Sequence, residues 1–150
     1  MTARVGREQA GNRVFEAMCD GDWTIAEGCE VTGLTRAQWH TGLAYIRDVL
    51  AEEHAEPIVY DAKTHRYALA KFEVEVDRYI IARMKTFAIQ LARIRNGTFT
   101  PARVKFETPG ITRFRRVDDS VYRVFTDIGF VLEEMGDEMP AKVQAMMIRS

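Results

Sequence analysis

Few side chains in this sequence are spaced for reaction chemistry. The metal-ligand candidates are Cys19, Cys29, His40, His54 and His65, and none stands in a C-x2-C or H-x3-H pair of the kind that clamps a zinc ion. The glycines at 6, 11, 21, 28, 33 and 42 never assemble a G-x-x-x-x-G-K or G-x-G-x-x-G phosphate loop. Serine occurs only at 120 and 150, neither inside a G-x-S-x-G turn. Acidic pairs stand at Asp20/Asp22, Glu52/Glu53, Asp118/Asp119 and Glu133/Glu134. Neighbouring carboxylates on a helix point apart, whereas catalytic pairs converge in a cleft, so solvated surface is the role expected of all four. Neither a cofactor nor an enzymatic activity is expected.

A different chemistry is available in "TRAQWHTGLAY", residues 35–45. If Trp39 turns inward, Arg36, Gln38, His40, Thr41 and Tyr45 are left for the outer side of the same helix. Arginine can pair bidentately with guanine and glutamine with adenine, each worth about 1–3 kcal/mol of base discrimination. Further along, "DAKTHRY" brings Lys63, Thr64, His65 and Arg66 together at the tip of an expected hairpin, within reach of a phosphate backbone or minor groove. With Thr35, these residues form the candidate DNA-contacting set.

The elements that must position them read as follows. Ala10, Val14, Phe15 and Met18 recur at helical spacing and predict a helix from Gln9 to Cys19. "DGD" breaks it, and Trp23-Thr24-Ile25 predicts a stub of strand. Ala26, Cys29 and Val31 suggest a second helix ending at Gly33, a residue free to adopt the left-handed conformation. Thr35 is placed to cap a third helix, with Gln38 returning the bond as in a capping box. Trp39, Leu43, Ile46 and Leu50 commit one stripe of that helix to the core. Gly42 costs about 1 kcal/mol there relative to alanine, which implies a close approach either to DNA or to the wall of the core. "IVYDA" and "HRYALA", separated by Lys63 and Thr64, predict a hairpin.

Helix, strand stub, helix, turn, helix, hairpin is the order of a winged helix-turn-helix, and residues 12 to 70 resemble that superfamily of DNA-binding domains. The resemblance rests on Trp23-Thr24-Ile25, on Thr32-Gly33-Leu34-Thr35, on the third helix's apolar stripe and on Arg66-Tyr67. With "FEVEVDRY" and "RIRNGTFTP" included, the chain is also similar to the small RacP-like winged-helix proteins of actinobacterial phages and integrated elements. The resemblance implies a DNA-associated regulator or accessory factor.

In the second half, Ile80, Met84, Phe87, Leu91 and Ile94 alternate spacings of four and three, predicting a helix from Glu73 to Arg95 that stops at Asn96-Gly97. Val117, Val121, Val124, Ile128, Val131 and Met135 repeat the pattern, widened by Phe125 and Leu132, with Asp118 and Asp119 suited to a helix N-terminus. Between them an ordered connection is expected to bury Phe99, Val104, Phe106, Ile111 and Phe114. Such seams need a partner: either a hairpin within the chain or, as preferred here, a homodimer through the C-terminal helices.

The fold class expected is therefore mainly α (α+β), with a winged helix-turn-helix over residues 1–71 and a helical dimerisation or accessory domain over 72–150. A hydrophobic content of 47% sets the chain apart from disordered sequences. No apolar run is long enough to span a membrane and "MTARVGREQAGNR" lacks the layout of a secretory signal, so a cytoplasmic location is expected. The two cysteines are expected as small buried hydrophobes and not as a disulfide. Charge is unevenly spread: residues 1–70 hold seven Lys/Arg against eleven Asp/Glu, whereas 71–116 hold eleven against four. The basic segment 71–116, notably Arg93, Arg95, Arg103, Lys105, Arg113, Arg115 and Arg116, is expected to grip flanking phosphates. Double-stranded DNA is the partner expected; the alternative is a winged helix whose acidic surface docks a host protein.

Overall fold

The computed structural model describes residues 4–110 and 112–148. It is mainly helical with one two-stranded antiparallel sheet, and it divides into two compact units that meet between Tyr79 and Ile80. That boundary lies inside a helix, eight residues beyond the 71/72 division drawn from the sequence. Among the described residues no helix is long and apolar enough to cross a membrane.

In the N-terminal unit, α1 (Arg7–Asp20) and α2 (Ile25–Thr32) lead to α3 (Arg36–Tyr45). Helix α3 runs on through a π-helical turn, Ile46–Leu50, into α4 (Ala51–His54). Strands β1 (Ile58–Asp61) and β2 (Arg66–Leu69) pair with Ile58 opposite Leu69 and Tyr60 opposite Tyr67. The core gathers Ala10, Val14 and Met18 of α1 around Trp39, Leu43, Ile46 and Leu50, so the stripe read from spacing is the buried one.

Glycine sets how closely these helices approach. A Cβ on Gly42 would stand 2.7 Å from Val14 Cγ2 and 2.8 Å from the Ala10 carbonyl oxygen, so the close approach is to α1. Gly28 lies flat beneath the Trp39 indole, and Gly11 beneath the Tyr45 ring.

Three local expectations for this unit change. The strand stub shrinks to one bridge, in which the backbones of Trp23 and Tyr67 exchange hydrogen bonds of 3.0 and 2.9 Å; Thr24 already caps α2, so Ile25 is helical. On α2 the inward residue is Gly28, while Ala26 and Val31 are exposed, because the indole needs a site without a side chain. Cys19 is exposed and Cys29 half-buried; both are free thiols.

The C-terminal unit is built on α5 (Glu73–Ile94) from Ile80 onward, α6 (Thr100–Phe106), α7 (Arg113–Glu134) and α8 (Ala141–Ile148). Asn96-Gly97 does not stop α5: a π-helical turn, Arg95–Phe99, carries the helix into α6, with the Thr100 N–H donating to the Arg95 carbonyl. The wider turn accommodates Pro101, which lacks an N–H and would crowd the carbonyl four residues earlier.

The two seams pair within the chain but are rotated from the expected registers. Ala88 and Ala92 of α5 meet Val121, Phe125, Ile128 and Leu132 of α7, with Met139 and Val143 closing the core. Phe87, Ile94, Val124 and Val131 are left exposed. Small alanines permit close helix approach, and Phe125 fills the space, which makes it the centre of the stripe and not its margin.

The connection is helix α6 and not a buried loop: Val104 and Phe106 are exposed at 83% and 58%, Phe99 and Phe114 are half-buried, and Ile111 lies outside the described residues. Asp118 is likewise neither at a helix start nor on the surface. It lies in the second turn of α7, buried, where its carboxylate accepts from Arg95 Nε at 2.6 Å and from Arg95 Nη2 at 3.1 Å.

Candidate nucleic-acid interface

The turn into α3 is assembled from local bonds. Gly33, at φ 70°, closes α2 by donating its N–H to the Cys29 carbonyl. Leu34 is buried beside it, and Thr32 Oγ1 donates to the Gly28 carbonyl at 2.6 Å. Thr35 Oγ1 then accepts from the Gln38 N–H at 3.2 Å, and Gln38 Oε1 accepts from the Thr35 N–H at 2.9 Å. The reciprocal capping box has a consequence for recognition. Bidentate readout of adenine needs the carboxamide oxygen as well as the nitrogen, and the oxygen of Gln38 is already engaged.

Burial of the Trp39 stripe leaves Thr35, Arg36, His40 and Thr41 exposed on the outside of α3, with the Thr41 hydroxyl donating to the Ala37 carbonyl at 3.0 Å. Helix α3 carries no acidic residue. Tyr45 belongs elsewhere: half-buried, it packs over Gly11 of α1 with the Arg7 guanidinium 5.5 Å from its ring centre. Arg7 in turn pairs with Asp48.

The hairpin loop is longer than the two residues expected, spanning 62–65. Asp61 Oδ1 accepts the Lys63 N–H at 2.8 Å, which holds its carboxyl below the usual range, and His65 turns the chain at φ 56°. Lys63, Thr64 and His65 are exposed at the tip, with His65 Nδ1 3.0 Å from the Tyr60 hydroxyl. Arg66 is committed inward. Its Nη1 and Nη2 donate to Glu27 at 3.0 and 3.1 Å, and Nη1 also donates to the Asp22 carbonyl. The Glu27 carboxyl is held low, first by its bond to the Thr24 backbone and then by Arg66.

One residue was not singled out from the sequence. Burial pushes the Tyr67 phenol above its ordinary pKa, while the positive charges of Arg47 and Arg36 oppose that rise. Arg47 is exposed on the continuation of α3, and the Tyr67 ring lies tilted 4.6 Å from Tyr60 and meets Trp39 edge-on at 6.4 Å. The available signal was spacing: Arg36, His40 and Arg47 stand four and seven residues apart, one stripe of a continuous helix. The surface thus offers two guanidiniums, an imidazole and the Thr35 hydroxyl on the helix, and Lys63 and His65 on the hairpin loop. These are donors suited to phosphate oxygens and base edges.

The basic middle segment is less available than its composition implies. Arg95 is buried on Asp118, and Arg103 contacts both Glu107 and Asp118. Lys105 and Arg113 lie over the rings of Phe106 and Phe114, and Arg93, Arg115 and Arg116 are exposed. Among the described residues, no three His, Cys, Asp or Glu side chains are grouped to hold a metal ion. Comparison with known proteins returned no matching family model, no matching curated protein and no matching solved structure.

Proposed function

We propose that the N-terminal unit is a winged helix that binds double-stranded DNA, with α3 in the major groove and the 62–65 loop on the backbone. The chain then serves as a transcriptional regulator or DNA accessory factor of a phage or mobile element. The observation that carries this reading is one exposed stripe, Arg36, His40 and Arg47, which runs along α3 and its continuation on the flank of the buried Trp39 stripe, while the hairpin's Tyr67 ring meets Trp39. The N-terminal end of such a helix is the part that meets base edges.

The acidic excess of residues 1–70 opposes non-specific attraction, since that attraction comes chiefly from neutralised phosphates. Arg66 and Arg7 are themselves engaged by Glu27 and Asp48, so the acidic excess stands and fewer cations are left for phosphates. The reading thus predicts selective binding with a modest salt dependence.

A gel-shift series with genomic fragments at several salt concentrations tests it. If Arg36 contacts a base, Arg36→Ala should lower affinity by about 5–150-fold, the equivalent of about 1–3 kcal/mol. Arg47→Ala should weaken all sequences alike and reduce the salt slope by about 1. Binding indifferent to both substitutions would remove the reading. The second reading, a protein-docking winged helix, draws on the exposed Val31 beside Glu30 on α2. Capture of a host protein from nucleic-acid-free lysate, lost in Val31→Lys, would favour it.

A further inference from the structure

Two apolar rows run along the margin of the C-terminal core at strict seven-residue intervals: Ile80, Phe87 and Ile94 on α5, and Val117, Val124 and Val131 on α7, with Ile80 and Val117 half-buried and Val117 packed against the core. A seven-residue repeat keeps a row on one helix face, the arrangement used by helices that pack along a partner. Phe87 and Ile94 are 50% and 49% exposed, and Val124 and Val131 are 38% and 37% exposed. Phe87 and Leu91 share an open groove with Val117, Val121 and Val124, and Arg113 and Arg116 stand on its rim.

Charge on α7 is polarised along this face. Arg113, Arg116 and Arg123 occupy the first half, Asp127 and Glu134 the second, and all five are exposed. At about 3.6 residues per turn they fall on the flank of the valine row that points away from the core. We propose that this face is the contact between two copies of the chain, related by a two-fold axis crossing α7 near residue 125. A two-fold contact must be self-complementary, because each patch meets its own copy. Antiparallel apposition meets that requirement: Arg116 faces Glu134 of the second copy and Arg123 faces Asp127, both pairs being centred on residue 125. The exposed rows of the two copies cover one another between these pairs, in the manner of a four-helix bundle. An acidic amphipathic helix from another protein would complement the basic end alone, leaving Asp127 and Glu134 facing like charge.

The test uses the full chain without DNA, so its outcome is separate from that of the DNA-binding reading. Light scattering and sedimentation should show a dimer, and Phe87→Glu a monomer of unchanged helical circular dichroism. Arg116→Glu with Arg123→Glu should be monomeric, as should Asp127→Arg with Glu134→Arg, yet an equimolar mixture of the two should form a heterodimer. These positions are exposed, so the mixing experiment decides the matter even if Phe87→Glu fails to fold. A wild-type chain monomeric at every concentration would overturn the proposal and leave the groove to another protein. A dimer that survives both charge variants, or a mixture that stays monomeric, would also overturn it.

Discussion

The N-terminal unit brings its helices together by laying large rings on glycines, whereas the C-terminal unit packs helices on alanines and locks them with a buried ion pair. In the first, Trp39 on Gly28 and Tyr45 on Gly11 make shape the specifying property, and the Trp39 Nε1–H finds no acceptor among the described residues. In the second, Ala88 and Ala92 are sterically undemanding, and Arg95 with Asp118 fixes which faces of α5 and α7 meet. A steric lock fails when volume changes. An ionic lock fails when one charge is removed, and is tolerant when both are.

The largest effect expected on that contrast is from Trp39→Ala, which should cost about 3–5 kcal/mol by opening a cavity under the hairpin. Both tryptophans lie in the N-terminal unit, so the fluorescence of Trp23 would report its unfolding in urea, and a loss under 1 kcal/mol would refute the steric account.

Next is Asp118→Ala, which strands a buried guanidinium and should destabilise the C-terminal unit by about 3 kcal/mol or more, read by hydrogen exchange of α7. The double replacement Arg95→Met with Asp118→Leu should restore most of it.

Asp118 in one unit and Tyr67 in the other are shifted by different causes and lose their contributions at opposite ends of the pH range. Hydrogen bonding to Arg95 holds the Asp118 carboxyl below its ordinary pKa, so its contribution is present above the unfolded value of about 4 and lost as pH falls through the folded value. Burial raises the Tyr67 phenol, so its contribution is present below about pH 10 and lost as pH rises through the folded value. Exchange measured in acid and in alkali should find the C-terminal unit weakening first in the former and the N-terminal unit in the latter. The reverse order would break the comparison.

Gly42→Ala should destabilise by about 1–3 kcal/mol despite alanine's advantage of about 1 kcal/mol in a helix, because the new methyl meets the Ala10 carbonyl, a backbone atom that cannot swing aside. Smallest is Thr35→Ala, at about 1 kcal/mol from loss of the cap. The Gln38 oxygen keeps its partner in this variant, because it accepts from the backbone N–H of residue 35 and not from the side chain.

The candidate surface was legible where it depended on short-range pattern. Thr35 and Gln38 declare their capping box by spacing, and the Trp39-to-Leu50 stripe sends Arg36, His40 and Thr41 outward by helical geometry alone. Arg66 and Tyr45 could not be assigned in that way. Their partners, Glu27 and Gly11, lie 39 and 34 residues away along the chain, and no local periodicity records such pairings.

The amino-acid sequence by itself determined which segments are helical in the N-terminal unit, the hairpin's place, the cap of α3 and the existence of two apolar seams later in the chain. All of these follow from interactions spanning four residues or fewer, or from the period of the backbone. Only the tertiary structure decided which side of each seam is buried, because a wide apolar stripe is compatible with several rotations, and the choice fell to the size of Ala88 and Phe125 and to the Arg95–Asp118 bond. It likewise decided which cations remain available: a guanidinium is free or committed according to the carboxylate that folding brings beside it.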